Sequence, residues 1–459
     1  MSAPAAMIPE SVEANAHASK RWGFAFGYRF FLLFLIGIVW LVPAFVDRRF
    51  VYAMMAWDLL LILAWAVDLR SLPKPERLRI RRSWGASLAL TVSSQVMLTV
   101  ENRSDAVLHV HVSDGLPSSL RKSPAEFDVW VPARGEAQGN YSVNPTQRGT
   151  TAASNIYLRC EGKFRLAQRW AMADLHQELT VYPDLHQAKR QAVYLIRSRQ
   201  IALEKRFSRV RGAGKAFESL REYRDGDDFG DICWTATARR GKLITRLYEL
   251  EKSQTIWLVL DTGRLMRTRV GSLSKLDHAV NAALALAEVA QLTGDRVGLL
   301  AYARTIRHRV PAMRGSIHLR QFVESLAQVS EDEWEADHLR AAAQLMRDQK
   351  RRSLVVWITE LAETAMTPEV VEAASKLLPR HLVVFVVIGQ PDLQASASHR
   401  PESIREMYQV SAAQEVIHRR ELLLARLRER GALATEVDSA ELAPMLVNSY
   451  LDIKQKNQL

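Results

Sequence analysis

The sequence predicts an α/β protein. A doubly wound, mainly parallel sheet forms the C-terminal half, a small β-sandwich the middle, and a two-helix transmembrane hairpin the start. Three observations predict this. Two long apolar runs lie close together near the N-terminus. From about Arg79 to Tyr182 short β-rich segments alternate with turn-forming ones. From Ile256 onward apolar strands alternate with helical runs. At ~100–200 residues per domain, 459 residues hold two or three domains. The expected division is an N-terminal tail (1–21), a transmembrane hairpin (22–69), a sandwich (79–183), a basic helical connector (184–215) and an α/β domain (216–459).

The first apolar run, Phe30 to Val46, is seventeen residues without a charge. The second, Phe50 to Val67, is eighteen residues interrupted by Asp58. A bilayer core of ~30 Å needs ~20 mostly apolar helical residues, so each run is just long enough. Only Asp47, Arg48 and Arg49 separate them, hence a hairpin. A cleaved signal peptide fits badly, because no small-x-small site follows the first run. Arg70, Lys74, Arg77, Arg79, Arg81 and Arg82 follow the second run, whereas the turn carries only Arg48 and Arg49. Positive residues collect on the cytoplasmic side. The expectation is two spans in a bacterial inner membrane, with the soluble domains in the cytoplasm. Asp58 reads as a helix–helix contact rather than an ion path, and Arg29 as a side chain that snorkels to the interface.

Composition excludes several classes. The chain is 48% hydrophobic and 24% charged, with 21 Gly and 16 Pro, which excludes disordered and collagen-like proteins. Cys160 and Cys233 cannot build a disulfide framework, and neither has a CxxC neighbour. The net charge of +12 fits an anionic membrane surface as well as nucleic acid. Its arginines are spread along the chain and beside the membrane, so no nucleic-acid partner is expected.

The middle segments SLALTV, QVMLTVEN, VLHVHVSD, FDVWVPA and NIYLRCE read as strands of an antiparallel sandwich. His109 and His111 share one strand face. With no third ligand in view they read as solvated, since zinc needs three or four. In the connector, GAGK (212–215) fails as a phosphate loop, because Arg209 and Ala216 stand where Gly and Ser/Thr are required.

In the C-terminal half, IWLVLDT, RVGLLAYA, SLVVWIT and HLVVFVVIG read as buried strands between helices. Ligands of such sheets bind at the carboxyl ends of strands. Asp261 and Glu360 stand there. Lys275 of the Ser272–Lys275 stretch (SLSK) reads as the start of a helix. The β-lactamase reading of that stretch lacks its companion motifs. No nucleophile–base constellation appears, so the protein is expected to be no enzyme and to have no small-molecule substrate.

This alternation resembles a von Willebrand factor A domain. Metal-binding members carry D-x-S-x-S after the first strand and an Asp after a later one. Here the motif is Asp261-Thr262-Gly263-Arg264-Leu265, with Gly263 and Leu265 in the serine positions and Glu360 for the later Asp. A hard cation such as Mg²⁺ needs near-octahedral oxygens. Too few remain, so Asp261 and Glu360 form a degenerate metal site, and no cofactor is expected. A guanidinium from Arg264 or Arg267 would take the cation's place.

A second resemblance rests on Phe217-Glu-Ser-Leu-Arg-Glu-Tyr-Arg-Asp-Gly-Asp-Asp, then Ile232-Cys-Trp and Ala238-Arg239. This is similar to the signature of the bacterial domain-of-unknown-function 58 family, and the likeness extends over nearly the whole chain. As a calcium loop the stretch fails, since Phe229 and Ala236 fall on ligand positions. Arg221, Arg224 and Arg239 can pair with the carboxylates of Asp227 and Asp228, with Trp234 as a packing anchor. Arg221, Tyr223, Gly226, Asp227, Asp228, Trp234 and Arg239 are therefore expected to be structural or to dock a partner. The resemblance implies a membrane-anchored adaptor working with a MoxR-type AAA+ ATPase on client proteins. The alternative is an exported envelope protein that binds through a metal-dependent adhesion-type site.

Overall fold

The computed structural model describes residues 8–19, 23–44, 47–121, 123–184, 216–224, 229–249, 253–361, 369–456 and 458. The chain divides into two compact units, Met1–Tyr182 and Pro183–Leu459. The connector expected at 184–215 lies almost wholly outside the described residues.

Among the described residues of the first unit, strands precede the helices. β1 (Val12–Asn15), β2 (His17–Ala18) and β3 (Phe24–Phe26) precede α1 (Tyr28–Ile38), α2 (Leu41–Ala44) and α3 (Arg49–Ser71). Within the stretch expected as an N-terminal tail (1–21), Val12–Asn15 and His17–Ala18 are strands that pair into the sandwich. β1 pairs antiparallel with β4 (Leu78–Trp84), so that Val12 and Ala14 pack against the sandwich core. Their short alternation was too brief to stand out as a strand.

The two-span hairpin is also not found as expected. Among the described residues, only the helix within Arg49–Arg77 is long and apolar enough to cross a membrane, and the apolar stretch Tyr28–Pro43 is shorter. Proline lacks an N–H, and its ring collides with the carbonyl four residues back. Pro43 places that break at Val39, where α1 ends and a turn leads to α2.

The sandwich continues with β5 (Ser94–Asn102), β6 (Leu108–Asp114), β7 (Ala125–Val131), β8 (Glu136–Val143), β9 (Gly149–Ala153), β10 (Ile156–Glu161), β11 (Ala167–Ala173) and β12 (Gln177–Val181). One sheet has the order β1-β4-β5-β8. The other runs β2-β11-β10-β6-β7, with β3 also on β11, and β9 pairs with β12. Alternate residues point inward, as a pleated strand demands. Leu78, Ile80, Leu98, Val100, Val110 and Val112 make the core between the sheets. Arg82 and Asp114 are buried in this interior as a pair. Arg82 donates through Nε to Asp114 Oδ2 at 3.0 Å and through Nη1 to the Leu175 carbonyl at 2.8 Å. His109 and His111 face outward. His109 Nδ1 lies 3.2 Å from Glu161 Oε2, and His111 Nδ1 lies 3.0 Å from Asp128 Oδ1.

The second unit opens with a hairpin of β13 (Ala216–Glu222) and β14 (Ile244–Glu249), which flank α4 (Trp234–Arg240). The main sheet follows. Its strands are β15 (Thr255–Asp261), β18 (Arg296–Tyr302), β19 (Ile306–Met313), β20 (Leu354–Thr359), β21 (Leu382–Ile388) and β22 (Leu433–Val437). β16 (Arg269–Val270) and β17 (Leu273–Ser274) form a small separate ladder. The order is β19-β18-β15-β20-β21-β22, parallel except at the β19 edge. The chain thus runs from the central β15 toward one edge and then returns to build the other side.

Helices cover both faces. α5 (Lys275–Leu292), α6 (Ser316–Gln328) and α11 (Leu442–Gln455) gather on one. α7 (His338–Asp348), α8 (Glu369–Leu377) and α10 (Ile404–Glu429) pack on the other against Trp257, Trp357 and Phe385. α9 (Pro391–Ser398) lies against α10. Strands buried on both faces need continuous apolar runs, which is what LVVWIT and LVVFVVI supply.

Candidate docking site at the rim of the α/β sheet

Parallel strands deliver their last residues to one rim. Asp261 ends β15, and Glu360 follows β20. Both are buried. The Asp261 carboxylate is occupied from within the chain. Its Oδ1 accepts from the Gly263 amide at 2.7 Å, and its Oδ2 accepts from the Thr359 hydroxyl at 2.7 Å. Burial pushes this carboxyl above the ordinary range, against the opposing pull of His338 and the two hydrogen bonds.

Glu360 is more fully enclosed. Its Oε2 accepts from Lys275 Nζ, and its Oε1 accepts from Arg420 Nη2 at 2.6 Å and from the Leu361 amide at 3.1 Å. Lys275 also donates to the Ile388 carbonyl at 2.9 Å. Arg420 reaches on to Glu436 at 2.5 Å. Lys275 is the first residue of α5, which Ser274 and Asp277 start with a reciprocal capping box. That cap fixes where the lysine enters the rim.

This donor set does not fit a divalent cation. The oxygens of Asp261 and Glu360 accept from N–H and O–H groups, and two cationic side chains already meet the Glu360 carboxylate. The cations also differ from the expected ones. Arg264 pairs with Glu335 at 2.8 Å, and Arg267 lies near Glu331 and Glu333 at 4.0 and 3.9 Å. Lys275 and Arg420 are the residues that sequence reasoning missed. Among the described residues no group of three or more His, Cys, Asp or Glu is arranged to hold a metal ion.

A polar cluster supports the rim from below. Trp357 Nε1 donates to the Tyr302 hydroxyl at 2.6 Å, and that hydroxyl lies 2.7 Å from His338 Nδ1. Burial lowers the His338 imidazole below its ordinary value, although Asp261 nearby favours the charged form. The Tyr302 hydroxyl is raised, chiefly by burial.

Above the acids stands a charged loop with one large apolar side chain. The Thr262 carbonyl accepts from the Asp332 amide at 2.8 Å, and the Trp334 carbonyl accepts from the Arg264 amide at 2.9 Å. Arg307 pairs with the Asp332 carboxylate and holds it below the usual carboxylate range. Asp332 also accepts from the amides of Glu333 and Trp334, at 2.7 and 3.3 Å. The loop is thereby shaped, yet Trp334 remains 60% exposed, with the Arg304 guanidinium 5.5 Å from its ring.

Of the signature residues, Gly226, Asp227 and Asp228 lie outside the described residues. Arg221 and Tyr223 stand at the end of the β13–β14 hairpin. The Tyr223 amide donates to the Leu243 carbonyl at 2.9 Å. Arg239 lies exposed in the last turn of α4. Trp234 is not the packing anchor expected. It opens α4 and is 66% exposed, while its neighbours Ile232 and Cys233 are the buried ones. Phe229, whose ring lies 5.7 Å from that of Tyr223, is 73% exposed.

Residues 219–395 match the family model described as protein of unknown function DUF58. Uncharacterised proteins of Mycobacterium bovis and Mycobacterium tuberculosis are 28% identical over 153 residues, covering 33% of this chain and 48% of theirs. The chain thus spans about half the length of the curated relatives it matches. Among solved structures, a von Willebrand factor type A protein from Catenulispora acidiphila is 14% identical. That match covers 45% of this chain and 43% of the other, with a TM-score of 0.27. A conserved hypothetical protein, BatB, from Bacteroides thetaiotaomicron is 15% identical. That match covers 44% of this chain and all of the other, with a TM-score of 0.29.

Proposed function

We propose that this protein is a membrane-anchored, non-enzymatic adaptor whose α/β unit docks protein partners at the carboxyl-end rim. The observation that carries the reading is Trp334. An exposed tryptophan beside Arg264, Arg304 and Glu335 has the composition of an interface anchor, where Trp and Arg are enriched. The acids below it are consumed in internal pairs, which leaves them no catalytic work. Exposed Phe229 and Trp234 on the hairpin offer a second docking surface.

Anchoring rests on α3, whose length and apolar composition suit a bilayer. The arginines and lysines that follow it favour the cytoplasmic face of a bacterial inner membrane. The resemblance noted in the sequence suggests a MoxR-type AAA+ ATPase as the partner, acting on client proteins. In-cell crosslinking of the tagged full-length protein, followed by purification from native membranes, tests the reading. Recovery of a AAA+ ATPase that is lost in a Trp334→Ala variant supports it. Recovery of envelope proteins alone reverses the topology and overturns the adaptor role.

A further inference from the structure

An apolar groove of about 710 Å³ lies where α1, α3 and the β10–β11 turn meet. It is lined by Leu32, Leu33 and Ile36 of α1, Ala64 and Val67 of α3, and Phe164 of the turn. Leu32, Ile36, Val67 and Phe164 are each more than half exposed. Such a surface is stable only if something apolar covers it.

The groove also has a cationic lining residue, Arg29, whose Nε donates to the Tyr28 hydroxyl at 3.3 Å. Arg29 has no carboxylate partner among the described residues. Lys163 stands exposed beside Phe164 in the same turn. Arg165 also acts on the Tyr28 hydroxyl while lying 3.6 Å from Glu161.

The turn is held in this position by one residue. Asp68, buried near the end of α3, accepts from the amides of Phe164 at 3.1 Å, Leu166 at 2.9 Å and Ala167 at 3.0 Å. The turn that carries Phe164 is therefore fixed against α3.

We propose that this groove holds one anionic phospholipid. An acyl chain lies between α1 and α3, and the headgroup phosphate meets Arg29 and Lys163. The inference rests on the membrane anchoring proposed above, because the groove is continuous with the exposed apolar surface of α3. Charge complementarity selects an anionic headgroup over a zwitterionic one.

The test uses the full-length protein reconstituted with equal phosphatidylglycerol and phosphatidylcholine. It is then examined by native mass spectrometry. The wild type is expected to retain one phosphatidylglycerol in preference to phosphatidylcholine by about tenfold. The double variant Arg29→Gln/Lys163→Gln is expected to bind both lipids equally. Val67→Trp is expected to retain less of both, because its indole projects from the wall and narrows the groove. All three substituted side chains are exposed, and a thermal melt confirms that each variant folds. Equal retention of both lipids by the wild type overturns the proposal, as does a preference that survives in the double variant. A carbonate wash of native membranes separates the two readings. Protein retained in the membrane without lipid preference sinks the lipid site alone. Protein released by the wash sinks the anchoring and the lipid site with it.

Discussion

Lys275 and Glu360 form a buried ion pair at the carboxyl-end rim of the parallel sheet. The lysine supplies an internal charge of the right sign, and Arg420 supplies a second. Removing one member of a buried pair leaves an uncompensated charge, at a cost of about 3–5 kcal/mol. Arg420 remains in this case, so Lys275→Met is expected to cost about 3 kcal/mol in a denaturant titration. Adding Glu360→Gln should recover part of that loss. A rim already occupied by lysine also predicts that Mg²⁺ leaves the melting temperature of the wild type unchanged. A ligand that bound the folded state would raise it.

Arg82 and Asp114 make the same argument in the sandwich. Both side chains are fully buried, and they join the two sheets. Tyr141 donates to the same carboxylate. Asp114→Ala leaves the guanidinium without its counter-charge and is expected to destabilise the first unit by about 3–5 kcal/mol. Arg82→Met/Asp114→Leu, apolar on both sides, should lose much less. If the double variant were as unstable as the single one, packing rather than charge would govern the site.

The sequence made the α/β half legible because its strands are buried on both faces and its helices carry small apolar residues. LVVWIT and LVVFVVI need no partner to be read. The rim pair was not legible, since Lys275, Glu360 and Arg420 are 85 and 60 residues apart and meet only through topology. The sequence places Lys275 at a helix start, as found, but nothing local announces its partner. The N-terminal strands were missed for a related reason. Four residues of alternation at Val12–Asn15 gain their meaning from β4, more than sixty residues later. The first apolar run was judged by composition, which hides what Pro43 does to a helix.

Asp68 predicts a specific failure at the junction of α3 and the β10–β11 turn. Its carboxylate is the acceptor for three backbone amides. Buried donors left unsatisfied cost about 1–3 kcal/mol each. Asp68→Ala is expected to destabilise the first unit by about 3 kcal/mol and to open the turn over 162–167 to limited proteolysis. Gly162→Ala should have a similar effect by another route, because an added Cβ would lie 2.4 Å from Asp68 Oδ2. A turn that stayed resistant in both variants would show that β10 and β11 hold it without the carboxylate.

Acid should weaken the α/β unit through its buried imidazoles. Burial holds His338 and His381 below the ordinary value of 6.5. His381 Nδ1 lies 2.9 Å from the Ser353 hydroxyl at the opposite end of the sheet from the rim. As pH falls through 6.5, the unfolded chain takes up protons that the folded state refuses, so stability declines. The decline continues until the folded-state value is reached. His381→Asn is expected to flatten the stability profile below pH 6.5, measured by denaturant titration at several pH values. An unchanged slope would remove His381 from the account.

Trp334 separates docking from folding. Its side chain is largely exposed, and exposed positions away from buried networks usually change stability by no more than about 0.5 kcal/mol. An interface tryptophan, in contrast, costs about 2 kcal/mol or more when truncated, which is roughly thirtyfold in affinity. Trp334→Ala should therefore melt as the wild type does and lose its partner in co-purification from crosslinked membranes. Arg304→Ala should weaken the same interaction less, by freeing the indole from the guanidinium beside it. A variant that lost stability and partner together would place Trp334 in the fold. One that kept its partner would move the docking surface to Phe229 and Trp234, whose truncation is the next measurement.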